Sequence, residues 1–254
     1  HIQRGDCYEI NFCQPFVAEG AVIEPAAVYQ KLVQLSPNPF AAFYHINDQY
    51  LMCASPERFL SKRETKLLSQ PIKGTAQRST DKVEDEQLKQ GLLQSQKEKA
   101  ENVMVVDLVR NDLSKICKEG TVQVDELFGL YTFPQVHQMI STISGTVKEE
   151  KSFSQIIEAT FPMGSMTGAP KQRVMELIHQ YEPVGRGIFS GSVGYINPDG
   201  DFDFNVVIRS IMYNSGTQHL SYQTGSGITF YSNAEAEWEE CMLKGAAIKK
   251  VLTG

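Results

Sequence analysis

Strand-like segments joined by turns too short to hold a crossover helix constrain this chain most. Residues 188–196 and 202–213 flank Asn197-Pro198-Asp199-Gly200, and residues 41–46 and 50–60 flank Asn47-Asp48-Gln49. Such turns return a strand antiparallel to its predecessor, whereas a parallel neighbour needs a connection of about a dozen residues or more. Residues 7–17 (CYEINFCQPFV) alternate in period two, and 66–72, 121–124, 138–147 and 219–231 also read as strands. Helices are predicted over 25–35, between Pro25 and Ser36-Pro37-Asn38-Pro39, and over 152–161 and 170–181. A long helical region spans 79–117, its first turns loaded with Asp81, Glu84 and Asp85, and a closing helix spans 233–252 with Asn233 as N-cap. Helices and hairpins mix without a βαβ rhythm, which predicts an α+β fold. No linker-like stretch divides the chain, so residues 1–254 read as one domain.

Composition removes several function classes. A hydrophobic fraction of 41% over 254 residues is enough to bury a core. Lys and Arg number 24 against 30 Asp and Glu, with no basic block, so the footprint of a nucleic-acid binder is missing. No apolar stretch exceeds five residues, and runs such as 103–106 are far too short to cross a bilayer. Cys7, Cys13, Cys53, Cys117 and Cys241 are widely spaced with no C-x-x-C, which suits neither a disulfide framework nor a zinc site. Reduced, packed thiols and a cytoplasmic location are expected. The opening His1-Ile2-Gln3-Arg4 resembles neither a signal peptide nor a translation start, so the chain reads as a piece of a longer protein.

Several segments carry residues suited to chemistry. FPMGSMTGAPK (161–171) is a Gly/Ser/Thr loop feeding a helix, with Pro170 near its first position. The N–H groups and dipole at such a start make an anion site, although an ordinary capped helix has the same pattern. The loop lacks the spacing of a nucleotide phosphate loop. Glu98 and Glu101 lie at i,i+3 on the long helix, as do Glu237 and Glu240 on the last. Two such faces offer oxygen ligands to a hard cation such as Mg²⁺; each alone also reads as a solvated face. In PIKGT (71–75), Gly74 lets the backbone turn beside Lys73. A desolvated lysine there is a nucleophile and a solvated one a surface charge. Glu57, in SPER (55–58), suits a general acid when partly buried and a surface pair with Arg58 when not. Tyr195 and Arg209 are predicted on neighbouring strands. With Gly225-Ser226-Gly227 they suit a small molecule bearing carboxylates, while Arg209 also reads as a strand-surface residue.

GDCYEINFCQPF, ASPERFL, PIKGT, AENVMVVDLVRNDLSKIC, FPMGSMTGAPKQRVMELI, GRGIFSGSVGYI, FNVVIRS and TGSGITFYSNAEAEWEECMLKGAA together span nearly the whole chain. In this order they resemble the chorismate-utilising enzymes, a family that includes anthranilate synthase component I, aminodeoxychorismate synthase component I, isochorismate synthase and salicylate synthase. The resemblance implies two antiparallel sheets packed as a sandwich, with helices outside and the active site in the central cleft. It implies chorismate as substrate and Mg²⁺ at Glu101 and Glu240, with Glu98 and Glu237 in supporting, water-mediated positions. Ser165, Thr167 and Gly168 would face the ring carboxylate, and Tyr195, Arg209 and the Gly227 amide the enolpyruvyl carboxylate. His137 falls on the family's active-site histidine beside the ring, and Thr75 on a substrate-binding position.

Within the family, PIKGT resembles the aminodeoxychorismate synthase branch, where anthranilate synthases look like PIAGT. That branch implies attack of Lys73 on C2 while the C4 hydroxyl leaves, protonated by Glu57; ammonia then enters at C4 and expels the lysine. The product would be 4-amino-4-deoxychorismate, for 4-aminobenzoate and folate synthesis. A glutamine amidotransferase partner would supply the ammonia, since no Cys–His glutaminase signature is evident here. Amination at C2 with loss of pyruvate, as in anthranilate synthase, is the alternative, and a non-catalytic chorismate-binding subunit a third reading. Glu9 stands where isochorismate-type relatives place a lysine base and most amino-transferring relatives a glutamine, and it departs from both. The family usually carries a further N-terminal region, so the chain is expected to be the catalytic portion without that segment, with sheet edges near residues 7–17 left uncovered.

Overall fold

The computed structural model describes residues 1–254. The first half runs β1 (Glu9–Ala18), α1 (Pro25–Leu35), β2 (Phe40–Ile46), β3 (Gln49–Ser55), β4 (Arg58–Arg63), β5 (Lys66–Gln70), β6 (Ile72–Gln77), α2 (Lys82–Gln94) and α3 (Gln96–Ser114). The second half runs β7 (Gln123–Thr132), β8 (Val136–Thr146), α4 (Phe153–Thr160), a 3-10 turn at Gly164–Met166, β9 (Gly168–Ala169), α5 (Lys171–Tyr181), β10 (Gly194–Ile196), β11 (Phe202–Asn205), β12 (Ser210–Asn214), β13 (His219–Ile228) and α6 (Ala234–Thr253). Every strand pairing is antiparallel, so the α+β expectation is met by two antiparallel sheets.

The chain forms two compact units, neither contiguous in sequence. One comprises His1–Glu57, Met166–Val193 and Asn205–Gly254; the other comprises Arg58–Ser165 and Gly194–Phe204. In the first unit a six-stranded sheet has the order β2-β3-β12-β13-β1-β9. Helices α1 and α6 bury Leu32, Ile248 and Val251 against Met52, Ala54, Ile211, Tyr213 and Leu220. On β3 the intervening residues Leu51 and Cys53 pack with Val207 in a separate cluster, so this strand is buried on both faces and loses the apolar–polar alternation. In the second unit the order is β10-β11-β4-β5-β8-β6, with β7 also on β8. Strands β5 and β6 follow one another along β8, pairing at Lys66–Thr146 and Gln77–Val136 at their far ends. Phe153 of α4 packs edge-on against the fully buried Phe202, at 5.2 Å between ring centres.

Five sequence expectations are corrected. The helical region 79–117 is two helices, because Ser95 is extended and its hydroxyl accepts from Glu98 N, capping α3. The run 50–60 is β3 and β4, in different sheets, divided at Pro56, which has no N–H to give a ladder. The run 202–213 likewise splits into β11 and β12 across the two sheets, and only Gly194–Ile196 of 188–196 is strand. Pro170 is the N-cap of α5 rather than its first helical residue.

One buried ion pair organises the loop that precedes α5. Arg186 gives two hydrogen bonds to Glu182 (2.8 and 2.6 Å), one each to the backbone oxygens of Met166 (2.6 Å) and Asn11 (2.8 Å), and one to Ser190 Oγ (3.1 Å). These use all five donors of a guanidinium. Glu182 also accepts from Cys13 N (2.9 Å), and Asn11 N donates to Thr167 O (2.7 Å). Strand β9 pairs with β1 only at Glu9 and Ile10, so beyond them this pair and the loop satisfy the outer edge of β1. Burial is the largest influence and works against the charge of Arg186, but the hydrogen bonds and charge of Glu182, together with Cys13 nearby, leave its pKa raised. Replacing Arg186 by Met leaves Glu182 buried and uncompensated. Urea unfolding is expected to show a loss of about 3–5 kcal/mol. The same change at the exposed Arg110, whose partner Asp107 is also exposed, should cost no more than about 0.5 kcal/mol.

Candidate active site

In the second unit the strand-end lysine and one carboxylate pair come together. Lys73 Nζ lies 3.8 Å from Glu101 Oε2, with both side chains 11% exposed. Lys97 Nζ stands 3.8 Å from the other oxygen of Glu101. Gly74 has a left-handed φ of +97°, and a Cβ there would meet Leu92 Cδ1 of α2 at 3.0 Å and Glu98 Oε2 at 3.2 Å. Its lack of a side chain therefore lets β6 pass close under both helices and brings Glu98 beside the PIKGT turn. Thr75 is exposed and pairs with Gln138 across the ladder.

His137 is 2% exposed, and both of its ring nitrogens are engaged. One lies 3.0 Å from Thr132 Oγ1 and the other 3.0 Å from Asp85 Oδ1. Asp85 in turn takes Arg78 Nε (2.8 Å) and Ser79 N (3.0 Å). The Arg78 bond, with help from Ser79 and His137, holds the Asp85 carboxyl well below the usual carboxylate range despite its desolvation. Tyr195 lies on β10, half exposed, with its hydroxyl on Arg63. It therefore belongs to a different sheet from the strand that follows Arg209, and the two are not on neighbouring strands. Ser165 is buried at the 3-10 turn.

In the first unit the Gly/Ser/Thr loop lies along β1. Thr167 is buried, and Gly168 stands opposite Ile10 with a φ of +141°. A Cβ at Gly168 would collide with the carbonyl oxygen of Glu9. Glu9 is itself 2% exposed, at the start of β1. No side chain caps α5. Arg209 sits just before β12 in the left-handed region, at φ +51°, a conformation that costs a non-glycine residue about 1 kcal/mol or more. Its guanidinium makes no hydrogen bond or ion pair with a protein acceptor. Burial lowers its pKa, and the nearby charge of Glu57 opposes that. Glu57 is 4% exposed. A desolvated, left-handed arginine with spare donors is a natural anion receptor.

The second carboxylate pair is unequal. Glu237 is buried and accepts from Ser226 Oγ, whereas Glu240 is 42% exposed and lies 2.6 Å from Lys244 Nζ. Gly227 pairs with Asn11 of the neighbouring β1, and at Gly225 a Cβ would press on Cys13 Sγ, so Gly225 has no room for a side chain. No group of three or more His, Cys, Asp or Glu is arranged as a metal cluster. Mg²⁺ asks for less, because it takes one or two carboxylates, keeps its waters and accepts substrate oxygens. Each glutamate pair, taken by itself, offers hard oxygen donors of the kind that ion takes. The five cysteines are buried and free, and burial pushes the Cys13 thiol up to about 12, so none is poised as a nucleophile. No helix is long and apolar enough to cross a membrane.

Arg78, Glu182 and Arg186 are supporting residues that the sequence reading did not single out, and Asp85 entered it only as helix N-terminal charge. Arg186 was visible only as part of GRGIFSG, a motif with no role attached.

Residues 1–250 match the chorismate binding enzyme family. The chain is 40% identical over 255 residues to the probable aminodeoxychorismate synthase, chloroplastic, of Oryza sativa subsp. japonica, covering 99% of this chain and 28% of that protein. It is 39% identical over 252 residues to aminodeoxychorismate synthase component 1 of Escherichia coli (strain K12), covering 99% and 55%. Among solved structures, anthranilate synthase component I from Streptococcus pneumoniae TIGR4 superposes with a TM-score of 0.87 at 32% identity, covering 97% of this chain and 54% of that one. The chain thus spans about half, or less, of the length of these relatives.

The two glycines at the candidate site predict an ordered pair of effects. At Gly74 the atoms in the way are side-chain ends that can yield, so Gly74→Ala should cost about 1 kcal/mol or somewhat more. At Gly168 the obstacle is backbone, so Gly168→Ala should cost about 3 kcal/mol or more. Chemical denaturation of both variants checks the order; equal losses would contradict it.

Proposed function

Because the chain belongs to the chorismate-binding enzyme family, we propose that it aminates chorismate at C4, giving 4-amino-4-deoxychorismate for 4-aminobenzoate and folate synthesis. The observation that carries this reading is Lys73, a largely buried lysine at a strand end beside Glu101, in a chain 39% identical to an aminodeoxychorismate synthase component 1. In the proposed reaction the Lys73 amine bonds to C2, the ring double bonds relay the electron pair, and the C4–O bond breaks. Glu57 gives its proton to the departing oxygen, which leaves as water, because hydroxide is a poor leaving group. Ammonia then bonds to C4, the electrons return, and Lys73 is released, so the hydroxyl has been exchanged for an amine at one carbon.

Binding is assigned to the anion-receptive groups. Carried over from the family, the Arg209 guanidinium, with Tyr195 and the Gly227 amide, would take the enolpyruvyl carboxylate, and Ser165, Thr167 and Gly168 the ring carboxylate. Thr75 and His137 line the ring. Glu101 and Glu240 would hold Mg²⁺, with Glu98 and Glu237 acting through water. When bound, the ion supplies charge neutralisation beside an anionic substrate. Ammonia comes from a glutamine amidotransferase subunit, as the wording "component 1" in relatives suggests, and the setting is the cytoplasm.

Amination at C2, the anthranilate synthase reaction, is the second reading, favoured by the structural likeness to anthranilate synthase component I. Product analysis after incubation with chorismate, Mg²⁺ and ammonium separates the two: aminodeoxychorismate is expected, and anthranilate would overturn the assignment. Lys73→Ala should abolish the covalent substrate adduct seen by intact mass. Glu57→Gln should lower kcat by about 10²- to 10⁴-fold.

A further inference from the structure

We infer that Asp85, backed by Arg78, is a positioning residue that commits the Nε2 proton of His137, so that His137 serves the site by fixing α2 against β8 and exchanges no proton with a substrate. The inference rests on the proposed function only in taking β6 as the carrier of the nucleophile.

The argument starts from what each partner of the ring can do. A carboxylate ionised beside an arginine only accepts, so the His137 nitrogen 3.0 Å from Asp85 carries its hydrogen. Thr132 Oγ1, at 3.0 Å, closes the other nitrogen as either donor or acceptor. A buried imidazole with both nitrogens engaged offers a ligand only its face and its C–H edge. Asp85 cannot readily let go, because Oδ1 also holds Arg78 Nε and Ser79 N, and Arg78 is tied further to Phe133 O at 3.0 Å. Arg78 and Asp85 are the charged groups that meet the ring from the β6–α2 connection and from α2.

The same contacts explain what the ring supports. Asp85 lies in the first turn of α2, and Leu92 near the other end of that helix covers Gly74, the residue after Lys73. On the sheet side His137 stands opposite Ala76 of β6. The Asp85–His137 bond therefore pins one end of α2 to β8, and Leu92 rests on the turn that presents Lys73. Loosening the first should let the second drift. A misplacement of about 1 Å at a reacting group costs about 10²-fold in rate.

The test begins with the unaltered protein, labelled with ¹⁵N at histidine. Two-dimensional ¹H–¹⁵N spectra of the imidazole nitrogens should show His137 protonated at Nε2, unchanged when chorismate and Mg²⁺ are added. A His137 Nε2 without its proton, or one that loses it on adding chorismate, would overturn the inference. This readout needs no turnover, so it stands even if the product assignment fails. In Asp85→Asn and His137→Gln, kcat should fall by about 10²-fold with the pH profile keeping its shape. Amide hydrogen exchange over residues 72–77 should accelerate in both. Loss of one limb of the pH profile in His137→Gln would assign the histidine a proton-transfer role and refute the positioning role.

Discussion

A single buried guanidinium takes the place of a neighbouring strand along β1. Beyond Ile10, that strand turns an edge outward that β9 does not cover, and Arg186 with Glu182 meets it at the Asn11 carbonyl and the Cys13 amide. The same guanidinium holds the Met166 carbonyl and so sets the loop that carries Thr167 and Gly168. Because every donor is used inside the protein, Arg186 has nothing left for a ligand. Arg209 is its opposite: also desolvated, but with no protein acceptor, and held in a left-handed conformation. One arginine is structural because its donors are spent, and the other suits recognition because they are not. The directions of their pKa shifts follow from that difference, raised in the first and lowered in the second.

The carboxylates divide by the same logic. Glu101 and Glu237 are buried, where a charge needs compensation, and each stands beside a donor of its own unit, Lys73 or Ser226. Glu240 is exposed enough to pair with Lys244 at little net gain. Identical i,i+3 spacing in the sequence thus hides unequal environments. The spacing announces a shared helix face, and only packing decides which member of the pair leaves water.

Much of the candidate site was legible from local chemistry. Asn233 caps α6 as its residue type predicts, and Gly74 has the positive φ that PIKGT requires. The break at Ser95 was legible too, since Ser95-Gln-Lys-Glu98 has the spacing of a helix-capping sequence, but the acidic first turns and the long helical stretch drew the reading past it. His137 was placed from resemblance as a residue beside a ligand. Its engagement by Asp85, 52 residues away in the chain, has no local signature. The expectation that Tyr195 and Arg209 lie on neighbouring strands fails for a related reason: periodicity marks a strand and says nothing of the sheet it joins.

By itself the sequence determined the class of fold, most turns and caps, and which residue types suit binding an anion or a cation, because these depend on neighbours within a few residues. Family membership was legible as well, since ordered motifs survive as text. Tertiary structure alone decided that 50–60 and 202–213 each supply strands to two different sheets, that neither compact unit is contiguous, and that one arginine is saturated while another is not. Those outcomes rest on pairings between residues more than a hundred positions apart, such as Arg186 with Asn11 and Arg58 with Asp203. Hydrogen-bond saturation and desolvation are properties of the assembled surroundings, and no stretch of sequence contains them.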